Sequence, residues 1–174
     1  MRIVAAFSGV GKSYYCMQNP NAVDFEVMPY KYSNFYEVAA VAEGESMKAH
    51  GDLLLRENWQ NVYFDALMEA YRREPDKVFV IPSVAYVLFR LEAQGIPFLL
   101  VYPHRNLKEV YRQRYIDRGN TQEFLDVFIG DWDYWMDSLR RHGGTHMELL
   151  EDVYLTDVLP EAFSGLTVGG CTDG

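Results

Sequence analysis

The sequence predicts an α/β protein: a mostly parallel sheet of about five strands held between two layers of helices. Three observations carry that reading. Short apolar runs recur along the chain and are continuous, as in strands covered on both faces. Segments with helical spacing separate them. The first apolar run, Arg2-Ile3-Val4-Ala5, leads through a glycine turn straight into a helix. At 174 residues, with 49% apolar and 15% aromatic side chains, the chain is long and apolar enough for a full core, and a disordered chain is excluded. No apolar run approaches the roughly 18 residues of a membrane span. The strand at the N-terminus leaves no place for a signal peptide, and two cysteines, Cys16 and Cys171, fit an unpaired set in a reducing compartment, so a cytoplasmic location is expected.

The turn after the first strand carries the strongest signal. Ala6-Phe7-Ser8-Gly9-Val10-Gly11-Lys12-Ser13 matches the phosphate-binding pattern G-x-x-x-x-G-K-[ST], with Ala6 in the first glycine position. That position turns the chain without touching phosphate, so alanine is a mild departure. Gly9 and Gly11 let the backbone curl until its N–H groups face inward. The helix opening at Tyr14-Tyr15-Cys16-Met17-Gln18 adds unpaired N–H groups and the positive end of its dipole. Ser8, Gly9, Val10, Gly11, Lys12, Ser13 and Tyr14 are thus the expected phosphate cradle of a three-layer P-loop NTPase fold. Lys12 would bridge the β- and γ-phosphates of ATP, and the Ser13 hydroxyl would hold Mg²⁺. A glycine turn with a surface lysine is the alternative, but the motif's position and flanks favour the cradle. For Cys16, at an early helix position, some activation competes with a buried packing role.

Further along, Asn19-Pro20-Asn21 is a turn and Ala22–Val27 alternates like a second strand. The aromatic stretch Met28–Tyr36 reads as a loop, and Glu37–His50 as a weak helix interrupted by Gly44. Asp52 is the predicted N-cap of a long helix from Leu53 to about Glu74. Lys77–Ser83 and Ile96–Pro103 are continuous apolar strands, separated by an amphipathic helix Val84–Gln94 that Gly95 closes. An arginine-dense helix Glu109–Arg118 follows, then a helix capped by Thr121 and running to about His142, and a last strand over His146–Leu150. One domain over residues 1–159 is expected, with a flexible tail over 160–174.

In a doubly wound sheet the ligand sits beyond the carboxyl ends of the strands, which puts Ser8–Ser13, Asp24–Glu26, Ser83 and His104–Arg105 on one rim. Asp24 and Glu26 share a side of the second strand. They read either as acids that orient Mg²⁺ or accept a substrate proton, with Asp24 favoured, or as solvated rim acids. Ser83 stands where P-loop proteins often place a metal-binding aspartate, and helix capping is its favoured role. Arg114 and Arg118, at i and i+4, share a helix face, and Arg112 points elsewhere. With Arg105 they make a short arginine-rich lid the better reading over a solvated face pairing with Glu109 and Asp117. The spacing of Phe124, Leu125, Phe128, Trp132, Trp135 and Leu139 predicts core, whereas Tyr30, Tyr32 and Phe35 are candidates to stack on a nucleobase. The net charge of −9 disfavours a nucleic-acid partner and favours a small phosphorylated substrate.

FSGVGKS at the N-terminus, the acidic Asp24-Phe25-Glu26 and RNLKEVYRQRYIDRG together resemble the nucleoside monophosphate kinase group of P-loop proteins. The look is nearest to small P-loop proteins of bacteriophages and Gram-positive bacteria, which carry F-P-G-x-G-K-S and V-Y-P-x-R-x-L-K-x-E-Y-x-x-R-Y-x-x-R-G. Here Ser8 replaces the proline, and the likeness spans residues 1–140 or so. It implies a kinase that uses ATP and Mg²⁺ and acts on a small nucleotide, with Lys12 and Ser13 as phosphate and Mg²⁺ ligands. By the same likeness Arg112, Arg114 and Arg118 are lid residues. A hydroxyl of DNA or RNA as acceptor, or a regulatory nucleotide-binding module without transfer chemistry, are the other readings.

Overall fold

The computed structural model describes residues 1–41 and 53–164. Gly44, Asp52, the far part of the predicted 37–50 helix and Cys171 lie outside the described residues. In chain order the elements begin with β1 (Ile3–Ala6), α1 (Lys12–Gln18), β2 (Ala22–Asp24), α2 (Met28–Lys31), α3 (Phe35–Val41) and α4 (Trp59–Arg73). Then come β3 (Val78–Pro82), α5 (Ala85–Ala93), β4 (Phe98–Pro103) and α6 (Lys108–Asp117). After α7 (Gln122–Leu125) the chain makes a π turn at Asp126–Gly130, and ends in α8 (Trp132–Arg140), β5 (Thr145–Leu149) and α9 (Leu155–Ser164).

The chain forms two compact units, Met1–Asp24 with Val78–Gly174, and Phe25–Lys77. The first holds a five-stranded sheet in the order β2-β3-β1-β4-β5, parallel throughout. Ile3 to Ala6 and Phe98 to Pro103 are buried without exception, so β1 and β4 carry the aliphatic and aromatic runs that cover on both faces demands. The strand order reverses about β1, whose neighbours are β3 on one side and β4 on the other. The loop leaving its carboxyl end therefore opens at the topological switch point. In register, Ala6 stands opposite Pro82 and Val101, whereas Asp24, the last residue of β2, stands opposite Val80 and hence level with Val4.

The helices of this unit differ in detail from expectation. Val84, not Ser83, is the N-cap of α5, so the expected capping role of Ser83 is not realised. Gly95 closes that helix as predicted, with Gly95 N–H donating to Glu92 and Ile96 N–H to Leu91. The long helix expected after Thr121 is three pieces. The Thr121 hydroxyl does cap the first, accepting from Phe124 N–H at 3.3 Å, but the π turn shifts the register before α8. Trp132, Met136 and Leu139 then bury one face of α8, and the Trp132 indole donates to the Arg105 carbonyl at 2.8 Å. At the other end, α9 runs through Pro160 to Ser164.

In the second unit, β2 having ended at Asp24, Glu26 is exposed and outside any strand. Part of the expected 28–36 loop is helical: α2 has Pro29 in its first turn, where a missing N–H costs nothing. The long helix starts at Trp59 instead of Leu53. Asn58 is left-handed (φ 53°), and before it Leu55 bridges Tyr32 in antiparallel fashion while Arg56 N–H donates to the Lys31 carbonyl. Leu54 and Leu55 fitted the helical spacing, but they are 61% and 64% exposed.

The turn between α8 and β5 sets a close approach. Glu92 accepts from His142 Nδ1 (2.8 Å) and from Gly143 N–H (2.9 Å), tying the end of α5 to this turn. A Cβ on Gly144 would lie 2.5–2.8 Å from three atoms of the Phe98 ring, which is 2% exposed and cannot swing away. Gly144→Ala is therefore expected to destabilise the protein by about 1–3 kcal/mol. A denaturant-unfolding midpoint equal to that of the wild type would contradict this.

Candidate functional site

The loop between β1 and α1 has the form a phosphate cradle needs. Gly9 (φ 84°) and Gly11 (φ 96°) are both left-handed, a conformation that costs other residues roughly 1–2 kcal/mol. Val10 between them is fully buried and anchors the loop, while Ser13 and Tyr14 are exposed in the first turn of α1, which Lys12 opens. Two neighbours hold the loop from outside. The Tyr115 hydroxyl of α6 donates to the Ser8 carbonyl at 2.9 Å. From the start of α9, Leu155 N–H donates to the Val10 carbonyl at 2.9 Å. The fit is tight at Gly9, where a Cβ would meet Tyr115 Cε1 at 2.9 Å and Tyr111 Cε1 at 3.3 Å; one on Gly11 would make an ordinary contact with Tyr154 Cδ1 at 3.6 Å.

Arg114 occupies the space those tyrosines frame. Its guanidinium carbon lies 4.7 Å from the Tyr111 ring centre and 4.4 Å from that of Tyr154. Both terminal nitrogens are buried without a hydrogen-bond partner among the described residues, as is the Tyr111 hydroxyl. Burial pushes that hydroxyl's pKa up to about 12; Arg114 opposes the rise from close by, although the two do not align as a hydrogen bond. The Tyr115 hydroxyl is driven up by burial as well, with its bond to Ser8 pulling the other way. Both tyrosines are therefore neutral at physiological pH and leave the Arg114 charge intact.

Of the other expected arginines, Arg118 acts electrostatically on the Tyr115 hydroxyl, whereas Arg105 and Arg112 are engaged elsewhere. Arg112 pairs with Glu109 at 2.9 Å on the exposed side of α6. Arg105 reaches Asp137 at 2.6 Å and Asp133 at 3.0 Å, tying the end of β4 to α8. Arg118 is exposed at the end of α6. Of the stacking candidates, Tyr30 lies against Phe25 (ring centres 5.3 Å, 25° between planes) and edge-on to Tyr63, and Tyr32 sits beside Lys31, so both help build the small unit. Phe35 is edge-on to Tyr36.

On the other side of β1, Asp24 keeps one carboxylate oxygen, Oδ1, buried and without a partner among the described residues. Its charge reaches Cys16. Burial first, and Asp24 second, push that thiol's pKa up to about 12, against the pull of Lys12. Cys16 is thus a half-buried, protonated side chain, which decides for the packing role.

The donors fit a polyphosphate: an inward-curled loop, Lys12 at its end and a buried unpartnered guanidinium. No group of three or more His, Cys, Asp or Glu able to hold a metal occurs among the described residues. Mg²⁺ at Ser13 would accordingly take phosphate oxygens and water as most of its ligands, its usual habit beside phosphates. Tyr111, Tyr115 and Tyr154 were missed by sequence reasoning. The i, i+4 spacing of Tyr111 and Tyr115 on the arginine helix was the available signal; nothing marked Tyr154.

No protein-family model matches the chain, and no curated protein matches it in sequence. Among solved structures it is similar to the tunicamycin resistance protein of Deinococcus radiodurans, with a TM-score of 0.57 at 18% identity over 95% of each chain. At that identity the likeness shows the fold alone: an α/β fold with an all-parallel, five-stranded sheet flanked by helices. No helix among the described residues is long and apolar enough to cross a membrane.

Two outcomes follow. Gly9→Ala forces both a strained backbone and a clash with the hydrogen-bonded Tyr115, and should lower stability by about 1–3 kcal/mol. Native-like melting would contradict the geometry. Cys16 should resist iodoacetamide at pH 8 in the native protein and react readily once unfolded, followed by mass spectrometry of its own peptide. The folded thiol keeps its proton above the ordinary value of 9.0, so this group's stabilisation is complete below pH 9 and is lost as pH rises towards 12. Equal alkylation rates in both states would overturn it.

Proposed function

We propose that the chain is an ATP-dependent phosphotransferase that moves the γ-phosphoryl group to a small acceptor, a (deoxy)nucleoside monophosphate or similar molecule. The observation that carries this is Arg114: a cation with both terminal nitrogens buried and unpartnered, next to a left-handed glycine loop at the switch point of a parallel sheet. An unsatisfied buried guanidinium is costly unless an anion completes it. The amides of Gly9 to Ser13 and Lys12 hold the donor phosphates, and the Ser13 hydroxyl would be a ligand to Mg²⁺, which would supply countercharge to the phosphates when bound. Arg114 stabilises charge on the group in transit, and covering rings keep water from it.

The acceptor decides what Asp24 does. A phosphate monoester attacks with an oxygen that is already ionised and releases no proton, so Asp24 then only orients. A hydroxyl acceptor must lose a proton as its oxygen bonds to phosphorus and the bond to the departing ADP breaks, and a carboxylate with a free buried oxygen is suited to take it. That free oxygen favours a hydroxyl acceptor as the second reading.

The test is Mg²⁺-dependent ATP consumption against ribo- and deoxynucleoside monophosphates, single-stranded DNA, and tunicamycin, after which the structural neighbour is named. Lys12→Ala serves as the blank. Stimulation by a monophosphate, with Asp24→Asn losing less than about tenfold, supports the first reading; stimulation by a hydroxyl-bearing compound, with a loss of about 10²–10⁴, supports the second. ATP binding without turnover on any acceptor would leave a regulatory nucleotide-binding module and overturn both.

A further inference from the structure

We propose that Tyr154 is a positioning residue for phosphate binding: its ring fixes the plane of the Arg114 guanidinium over the glycine loop. The inference rests on the phosphate-binding reading above and assigns part of it to a segment, between β5 and α9, that no motif marks. Tyr111 covers one region of the Arg114 guanidinium at 4.7 Å and Tyr154 another at 4.4 Å. With rings over it, the group is left with its N–H donors in its own plane, and a bound anion must approach along that plane, as forked arginine–phosphate contacts do.

Tyr154 is itself held. The Asp157 carboxylate accepts from Tyr154 N–H at 2.7 Å, the acid three residues into the capping turn of α9 securing the residue that precedes the helix. The next amide, Leu155 N–H, donates to the Val10 carbonyl of the loop. The ring stands where a Cβ on Gly11 would touch it and is 39% exposed, so it is accessible to a ligand and tolerant of substitution. A long side chain with many rotamers is thereby ordered before any ligand arrives, which removes an entropic cost from binding.

The experiment measures binding of Mg²⁺–ATP and of tripolyphosphate to the full-length protein by calorimetry. Tyr154→Leu is expected to weaken both roughly 3- to 30-fold, the range of a partly desolvated cation–π contact, and Tyr154→Phe to restore affinity to within about twofold of wild type. Asp157→Asn, which leaves the ring in place and loosens its anchor, should lose less than Tyr154→Leu in the same direction. It keeps the test decisive should Tyr154→Leu fold poorly. In an Arg114→Leu background, Tyr154→Leu should have no further effect. Full affinity in Tyr154→Leu, an unaltered Asp157→Asn where the leucine variant does not fold, or an undiminished loss in the Arg114→Leu background would each overturn the inference while leaving the phosphate reading intact. A wild-type protein that binds neither probe would remove the phosphate reading, and the inference with it.

Discussion

The hydrogen bond from the Tyr115 hydroxyl to the Ser8 carbonyl is the constraint on which the site depends. A cradle made of left-handed glycines has no side chains with which to hold its own shape, so neighbours must supply the rigidity. Here α6 does so twice over, through that bond and through rings standing against Gly9. The same tyrosines are core residues: Tyr111 and Tyr115 are fully buried and continue into an aromatic cluster with Trp132, Phe124 and Phe128. Moving the loop therefore means disturbing the core, which makes its geometry as stiff as the packing behind it.

The arginines show how little a residue count says about charge. Arg105, Arg112 and Arg140 each answer a carboxylate, and Arg140 makes a two-pronged contact with Glu148 that holds this acid below the usual carboxylate range. In a chain with 25 acidic residues against 16 basic ones, partners are plentiful. Arg114 is set apart because rings and not carboxylates surround it. That choice of neighbour leaves both terminal nitrogens without a hydrogen-bond partner among the described residues.

Much of this was legible in the residues, and what was not has physical causes. Continuous apolar runs gave β1, β3 and β4 to within a residue or two, since full burial on both faces leaves no other composition. The glycine loop was legible because its chemistry needs particular residue types in a fixed order. Boundaries failed where tertiary partners overrode local spacing: Leu55 lay inside the predicted helix but serves an extended bridge to Tyr32, and the π turn after Leu125 has no signature of its own. Spacing tells which arginines share a face of α6 and not what else faces them: Arg112 meets a carboxylate and Arg114 two rings. Tyr154 was invisible because its role comes from a contact with a residue 40 positions away, shown by neither spacing nor motif.

Arg114 and Asp24 together say more than either alone. A cation and an anion, each with buried polar atoms lacking a partner among the described residues, flank the loop that leaves β1, and they do not pair with each other. If charge balance were their purpose, joining them would satisfy both at once. The sheet prevents it: Asp24 ends an edge strand level with Val4, roughly 7 Å short of the rim at Ala6, while Arg114 belongs to the helix after β4 on the opposite side of β1. Two opposite charges, each with a buried polar atom left without a partner among the described residues, are thus held apart by the fold, and the proposed phosphotransfer reading is the one that would give each of them a separate task.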